Sequence, residues 1–255
     1  MQLLNNYIRL NLGRLFKTPK KLVFLIILPL VLYSLGVFLT AQTQGLPLFE
    51  FGEYYLICAI VFSLLINSYL YLSRNMSNDK NNHFDVLLRN HKKYFLFNLS
   101  YVVVSGIIIL FTTILLFILS WFYGGLVWSP LRYIALLLFT FIGFLSFSLF
   151  GITVSLAPRK YFSLVGYVTL FVAFLSGLFL PLESLTTFIA PVMRVIPVYS
   201  LADIGWQFIF FRAYEGMDFA FLGLWTLGFF SVALIFYPQA SEYSTNKNSK
   251  KPSKK

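Results

Sequence analysis

Charged residues are scarce in this sequence, and they lie outside its apolar blocks. Only 11% of the 255 residues are charged, whereas 58% are hydrophobic and the mean hydropathy is +0.77. A soluble domain carries roughly a quarter of charged residues, so this composition excludes an ordinary soluble fold. The single cysteine, Cys58, excludes an internal disulfide framework and any cysteine-based metal site. The composition predicts an integral membrane protein.

Sequence motifs of common catalytic sites are also missing. The chain has no G-x-x-x-x-G-K-[ST], H-E-x-x-H, C-x-x-C or G-x-S-x-G run and no Rossmann glycine pattern. His83 and His91 have no cysteine companions, which disfavours a metal site. We therefore expect no catalytic residue, cofactor or metal in this chain.

The apolar residues form six blocks long enough to cross a bilayer as helices. These predicted spans are Leu22 to Ala41, Tyr54 to Ser73, Leu99 to Tyr123, Tyr133 to Ala157, Tyr161 to Leu180, and Phe219 to Tyr237. None contains Asp, Glu, Lys, Arg or His. Ion-coupled carriers normally place such groups at membrane depth, so we expect the energy for any transport to come from a separate protein.

The positions of the basic residues predict the orientation. With both termini in the cytoplasm, only Arg132, Arg194 and Arg212 among the Lys and Arg residues lie outside. This bias obeys the positive-inside rule and accounts for the net charge of +11 without nucleic-acid binding. We expect a multi-pass protein of the cell membrane, in contact with lipids, whose transmembrane domain covers residues 22–237.

Both ends of the chain differ in composition from the spans. Residues 1–21 place Leu4, Ile8, Leu12 and Leu15 on one helical face, with Asn11 as a polar exception, and predict an amphipathic interfacial helix that bends into the first span. Residues 238–255 are rich in Ser, Asn and Lys and predict a disordered, basic cytoplasmic tail.

The loop between the second and third spans predicts a short helix. Asn82 is a candidate N-cap, and Asp85 and Arg89 have the favourable i,i+4 spacing. Phe84, Leu87 and Leu88 form one apolar face. Two helical turns are unstable alone in water, so this face needs the membrane surface or a partner protein to pack against.

Two further features lie in or beside the spans. Asn67 is the only amide well inside a span; it could contact a substrate, although a hydrogen bond to a neighbouring helix is the usual role of such a residue. The stretch 181–218 is apolar but is broken by Pro181, Pro191 and Pro197, which favours interfacial or re-entrant helices over a seventh span.

This layout resembles the membrane subunit of an ABC-2-type transporter. The stretch Ser176-Gly177-Leu178-Phe179-Leu180-Pro181, continuing through Ala190-Pro191 to Val195-Ile196-Pro197-Val198-Tyr199-Ser200, is similar to the family's progression before the last span. Phe84-Asp85-Val86-Leu87-Leu88 is similar to its coupling helix, and the N-terminal helix with its basic break is a third point of likeness. The family's Gly-Thr and Thr-Pro pairs are replaced here by Asn82-His83 and Asn90-His91.

The resemblance implies an all-α fold with a re-entrant helical hairpin between spans five and six, at 181–218 on the outer side. It assigns 82–90 to docking on an ATPase, with Asn82, Phe84, Asp85, Leu87, Leu88 and Arg89 as coupling residues. Gly177, Pro181, Glu183, Pro191 and Pro197 mark the re-entrant segment.

The resemblance also implies partners and an activity. We expect a homodimer, or a heterodimer with a related permease, with two copies of an ABC ATPase that binds ATP and Mg²⁺. The expected activity is export of an amphipathic peptide, toxin or lipophilic drug. Alternatives are a non-transporting immunity or scaffold protein, export of a lipid-linked glycan, or a membrane enzyme using Glu183, Asp203, Arg212 and Glu215.

Overall fold

The computed structural model describes residues 2–44, 48–81, 91–123, 130–158, 161–173, 195–210 and 216–248. The described segments are helical and contain no strand. The helices are α1 (Gln2–Phe16), α2 (Pro19–Gln44), α3 (Leu48–Ile66), α4 (Arg74–Asn81), α5 (His91–Phe122), α6 (Pro130–Ser155), α7 (Phe162–Ala173), α8 (Pro197–Phe210) and α9 (Gly216–Asn248). A π-helical segment, Asn67–Ser73, joins α3 to α4 without a break.

Five helical stretches are long and apolar enough to cross a membrane. They are Pro19–Gln42, Gly52–Lys80, Phe95–Phe122, Leu131–Ser155 and Gly216–Ile235. The all-helical membrane architecture is thereby confirmed. The predicted fifth span corresponds in the described residues to the shorter apolar helix α7, so six spans and the re-entrant hairpin stay predictions.

The second span lies at the centre of the bundle. In its most apolar stretch 89% of the residues are buried, compared with 22% in the first span and 11% in the last. The π-helical segment packs on α6, and the rest of the span contacts α2, α5 and α8. Small residues allow this close packing, since a Cβ atom on Gly151 of α6 would lie 2.7 Å from the Ser68 carbonyl oxygen.

The N-terminal helix ends at Phe16, directly before the basic break at 17–21. Pro19 occupies the first turn of α2, where its missing N–H costs nothing. The Thr18 hydroxyl donates to the carbonyls of Arg14 and Leu15, each at 3.2 Å, and so satisfies the end of α1. Helix α1 also packs along α5, so its apolar face contacts protein rather than lipid alone.

The C-terminal end differs from the prediction. Helix α9 continues to Asn248, whereas the sequence predicts a disordered tail from residue 238. A helix already formed by the span can propagate into a polar segment, because propagation avoids the nucleation cost that a separate short helix would meet.

Candidate functional site

A polar cluster of Arg14, Asp79 and Tyr101 joins three helices at one end of the bundle. The Arg14 Nη1 atom lies 2.9 Å from both Asp79 Oδ2 and the Tyr101 hydroxyl oxygen. The Tyr101 hydroxyl in turn donates to Asp79 Oδ2. One carboxylate therefore holds α1, α4 and α5 together.

Exposure differs across the cluster. The Arg14 side chain is 42% exposed and the Asp79 side chain 18%, whereas Tyr101 is buried. Burial opposes the charged form of Arg14, but Tyr101 and Asp79 outweigh it and raise the pKa of Arg14. The guanidinium is therefore permanently charged, and the cluster keeps one cation at every physiological pH.

A second polar contact extends the cluster toward the bundle interior. Asn11 is 1% exposed, and its Nδ2 donates to Ser100 Oγ at 2.7 Å. In the sequence Asn11 stands as an exception within an apolar face, whereas the structure shows a specific bond to α5. A polar residue on an otherwise apolar helical face was the available signal, because such a face can pack on protein only if that residue finds a partner.

The cluster is positioned by the two helices that flank residues 82–90. Asp79 lies in the last turn of α4, three residues before Asn82, and Tyr101 lies in α5, which begins at His91. A cavity of about 310 Å³ adjoins the cluster and is lined by further polar residues, among them Lys21, Asn75 and Asn78. The predicted docking segment thus begins and ends on helices that Asp79 and Tyr101 connect.

Most of the predicted site residues fall outside the described part of the chain. They are the predicted coupling residues Asn82, Phe84, Asp85, Leu87, Leu88 and Arg89 and the re-entrant markers Gly177, Pro181, Glu183 and Pro191. Their roles stay predictions. Of the re-entrant markers, Pro197 is described, and it begins α8.

Asn67 contacts a neighbouring helix. It is 1% exposed; its Oδ1 accepts a hydrogen bond from Ser105 Oγ at 2.9 Å, and its Nδ2 lies 3.5 Å from the Ser105 carbonyl oxygen. Asn67 also begins the π-helical segment, a local geometry that recurs at functional positions in helices. Its contact with a substrate stays a prediction.

Helix α8 packs into the opposite end of the bundle from the cluster. A Cβ atom on Gly205 would lie 2.8 Å from Ile57 Cγ2, and the Trp206 ring stacks on Tyr54 at 4.8 Å. Gln207 donates to Asp203 at 2.8 Å and to Asp218 at 3.1 Å. The amide thus bonds two carboxylates, of which Asp218 is only 3% exposed.

An aromatic cavity of about 250 Å³ lies between α6, α7, α8 and α9. Phe147, Phe150, Trp225 and Phe229 line it. The Phe150 and Phe229 rings are 5.4 Å apart, and the Trp225 and Phe229 rings 5.5 Å. This lining suits an apolar or aromatic group rather than an ion.

Comparison with known protein families shows which family this membrane protein belongs to. The sequence matches the family described as "ABC-2 type transporter" over residues 2–210. The chain belongs to the ABC-2 type transporter family. It is therefore a permease-type membrane subunit that is not itself catalytic, in a family that normally works with an ABC ATPase. No curated protein matches the chain.

The family match includes both the polar cluster and residues 82–90, so the described geometry can be related to the ABC-2 layout. Helix α1, the long central span and its extension α4 all lie within the matched residues. Of the described helices, only α9 lies wholly beyond the match.

Proposed function

We propose that this chain is the permease subunit of an ATP-driven ABC exporter. It would work as a dimer, with itself or a related permease, and with two copies of a separate ATPase. The observation that carries the proposal is the ABC-2 family match over residues 2–210. The lack of ionisable residues in the predicted spans supports it, because such spans offer no site for a coupling ion.

In this proposal residues 82–90 dock on the ATPase, and the cytoplasmic side is the side of the polar cluster. The distribution of Lys and Arg supports that orientation, with both termini inside. When ATP binding closes the ATPases, the docking segment moves. Asp79 bonds Arg14 and Tyr101, so α1, α4 and α5 would move together rather than slide past one another.

The proposed cargo is an amphipathic peptide, toxin or lipophilic drug, moved outward. The aromatic cavity beside Phe150 and Phe229 supports this class because it offers apolar surface and no described charge in its lining. A mostly apolar lining would bind a hydrophobic side chain or ring through burial of apolar area.

The test is reconstitution with an ABC ATPase encoded beside this chain. We expect the two proteins to co-purify and a fluorescent amphipathic peptide to accumulate, with ATP, in inside-out vesicles. Leu88→Asp places a charge in the predicted docking face and should abolish coupling while the permease still folds. Asn6→Asp adds the same charge at an exposed position of α1 and should leave coupling intact.

The contrary results are equally definite. Full activity of the chain in liposomes without any ATPase would contradict the proposal, as would Leu88→Asp and Asn6→Asp having equal effects. Binding of a toxin without stimulation of ATP hydrolysis would favour the immunity alternative instead.

A further inference from the structure

An open apolar crevice runs along one side of the central span. It has a volume of about 540 Å³ and lies between α2, the end of α3 with the π-helical segment, and α7. Its walls are formed by Phe24, Leu25, Leu28, Leu65, Ile66, Leu70, Thr169 and Leu170. The volume falls within the range of sites that bind small molecules.

One wall is held in place by a specific contact. The Tyr69 hydroxyl donates to the Phe162 carbonyl oxygen at 2.7 Å, and the two rings stack at 5.5 Å. This bond ties the start of α7 to the π-helical segment. The crevice is therefore a formed feature of the fold rather than a gap between unattached helices.

Three cations line the same crevice at one end: Lys20, Lys21 and Arg74. Lys20 and Lys21 directly precede the predicted first span, and Arg74 directly follows the predicted second span. The two spans are antiparallel neighbours, so all three cations lie at the same membrane interface. We name this group the cationic rim.

No described carboxylate neutralises the rim. The described ion pairs join Arg14 to Asp79 and Arg132 to Glu53, and Lys21 Nζ lies 3.5 Å from the neutral Asn75 amide oxygen. Lys20 and Lys21 also lie in the first turn of α2, where the helix dipole adds further positive potential. An anion at the rim would be attracted by all of these charges.

We propose that this crevice binds an anionic phospholipid of the surrounding membrane, with the phosphate at the cationic rim and an acyl chain between α2 and the central span. The apolar wall extends from Lys21 to Leu28, about 10 Å along α2 at 1.5 Å per residue. The part of an acyl chain nearest the headgroup covers such a depth and the rest extends into the bilayer, whereas a free aqueous anion gains nothing from the apolar walls.

A second copy of the chain is a poorer occupant. With a net charge of +11 it has few carboxylates to offer the rim, and its own rim would repel this one. The anionic lipids of the cytoplasmic leaflet, in contrast, attract basic residues beside a span by a known interfacial effect.

The first experiment counts lipids bound to the purified full-length chain by native mass spectrometry. After delipidation, phosphatidylglycerol and phosphatidylcholine of equal chain length are added in turn. We expect one phosphatidylglycerol per chain to be retained in preference to phosphatidylcholine. Removing the rim with Lys20→Gln, Lys21→Gln and Arg74→Gln should weaken retention about fivefold per cation removed.

Matched control variants distinguish lipid binding in the crevice from a general effect of surface charge. Lys17→Gln removes an exposed cation of the same basic run that does not line the crevice, and retention should stay within about twofold of the wild type. Leu28→Trp should obstruct the deep end of the crevice and weaken lipid retention with the rim intact. Ile27→Trp, at a neighbouring exposed position outside the lining, should not.

Photoactivatable phosphatidylglycerol with a diazirine in the half of the acyl chain nearer the headgroup gives a second readout. Crosslinks should map to peptides containing residues 24–28 and 65–70. The proposal is overturned if both lipids are retained equally, if the triple variant and Lys17→Gln behave alike, or if glycerol phosphate alone competes as well as the lipid. A rim variant that changes the oligomeric state with lipid retention unchanged would assign the crevice to a subunit contact instead.

Discussion

Replacing Tyr101 with Phe removes one hydroxyl from the centre of the polar cluster and leaves the ring in place. That hydroxyl donates to Asp79 and accepts from Arg14 Nη1 at 2.9 Å. The ring packs edge-on against Phe97, with centroids 5.3 Å apart, and this contact should survive. The substitution therefore tests the hydrogen bonds separately from the packing.

The size of the effect follows from the exposure of the partners. A hydrogen bond to a charged group contributes about 1.5 to 3 kcal/mol when it is shielded from water. The Arg14 side chain is 42% exposed, so solvent weakens the contribution of its hydrogen bond to stability. The Asp79 side chain is only 18% exposed, so the hydrogen bond to Asp79 contributes most of the effect. We expect Tyr101→Phe to destabilise the fold by about 1 to 2 kcal/mol.

Tyr7→Phe is the matched control. The Tyr7 ring also packs edge-on against Phe97 at 5.3 Å, but its hydroxyl has no hydrogen bond among the described residues. Removing it should change stability by less than about 0.5 kcal/mol. The two variants thus lose the same atom from rings packed on the same neighbour.

The assay is thermal unfolding of both variants in the same detergent and at one scan rate, because unfolding of such proteins is often irreversible. For a chain of this size, 1 to 2 kcal/mol corresponds to a decrease in Tm of about 2 to 8 °C. Equal Tm values for Tyr101→Phe and Tyr7→Phe would refute the role given to the cluster. In the reconstituted complex, Tyr101→Phe should also reduce permease-dependent stimulation of ATP hydrolysis.

Two further predictions concern the central span. Gly151→Ala would place a Cβ 2.7 Å from the Ser68 carbonyl oxygen and should lower the free energy of unfolding by about 1 to 3 kcal/mol. Gly228→Ala is the control, because no neighbouring element lies within 4 Å of the new Cβ, and it should not change stability measurably. Similar Tm values for the two variants would contradict the close packing of α6 on the central span. Asn67→Leu should destabilise by about 1 to 2 kcal/mol because Ser105 loses a buried partner, and a double-mutant cycle with Ser105→Ala should show their coupling. Loss of transport at unchanged stability would instead place Asn67 on the substrate pathway.

Hydropathy predicted five spans that the structure also shows, because insertion into lipid depends on composition summed over about twenty residues. It could not predict that the second span continues as one helix through Asn81, since the polar residues of α4 give no apolar signal. Nor could it predict the π-helical segment at Asn67–Ser73, because a change of hydrogen-bond register leaves composition unaltered.

The polar cluster shows a different limit of sequence reasoning. Asp79 lies 65 residues from Arg14 and 22 from Tyr101, and no local spacing rule connects residues so far apart. Only the packing of α1 on α5 brings them together. Local apolar spacing and family likeness predict a docking segment at 82–90, which stays a prediction, whereas the contacts that brace its flanking helices depend on tertiary structure.

One continuous helical stretch, from Leu48 to Asn81, contains the π-helical segment and residues of both the polar cluster and the cationic rim. Arg74 of the cationic rim and Asp79 of the polar cluster are five residues apart on it, and Asn67 begins its π-helical segment. A displacement of residues 82–90 along this axis would therefore move Asp79 and Arg74 together, because a helix transmits an axial push with little compression. The π-helical segment already departs from the α-helical hydrogen-bond register, so we expect a shift in its hydrogen bonds to separate motion at the predicted docking end from motion in the buried half.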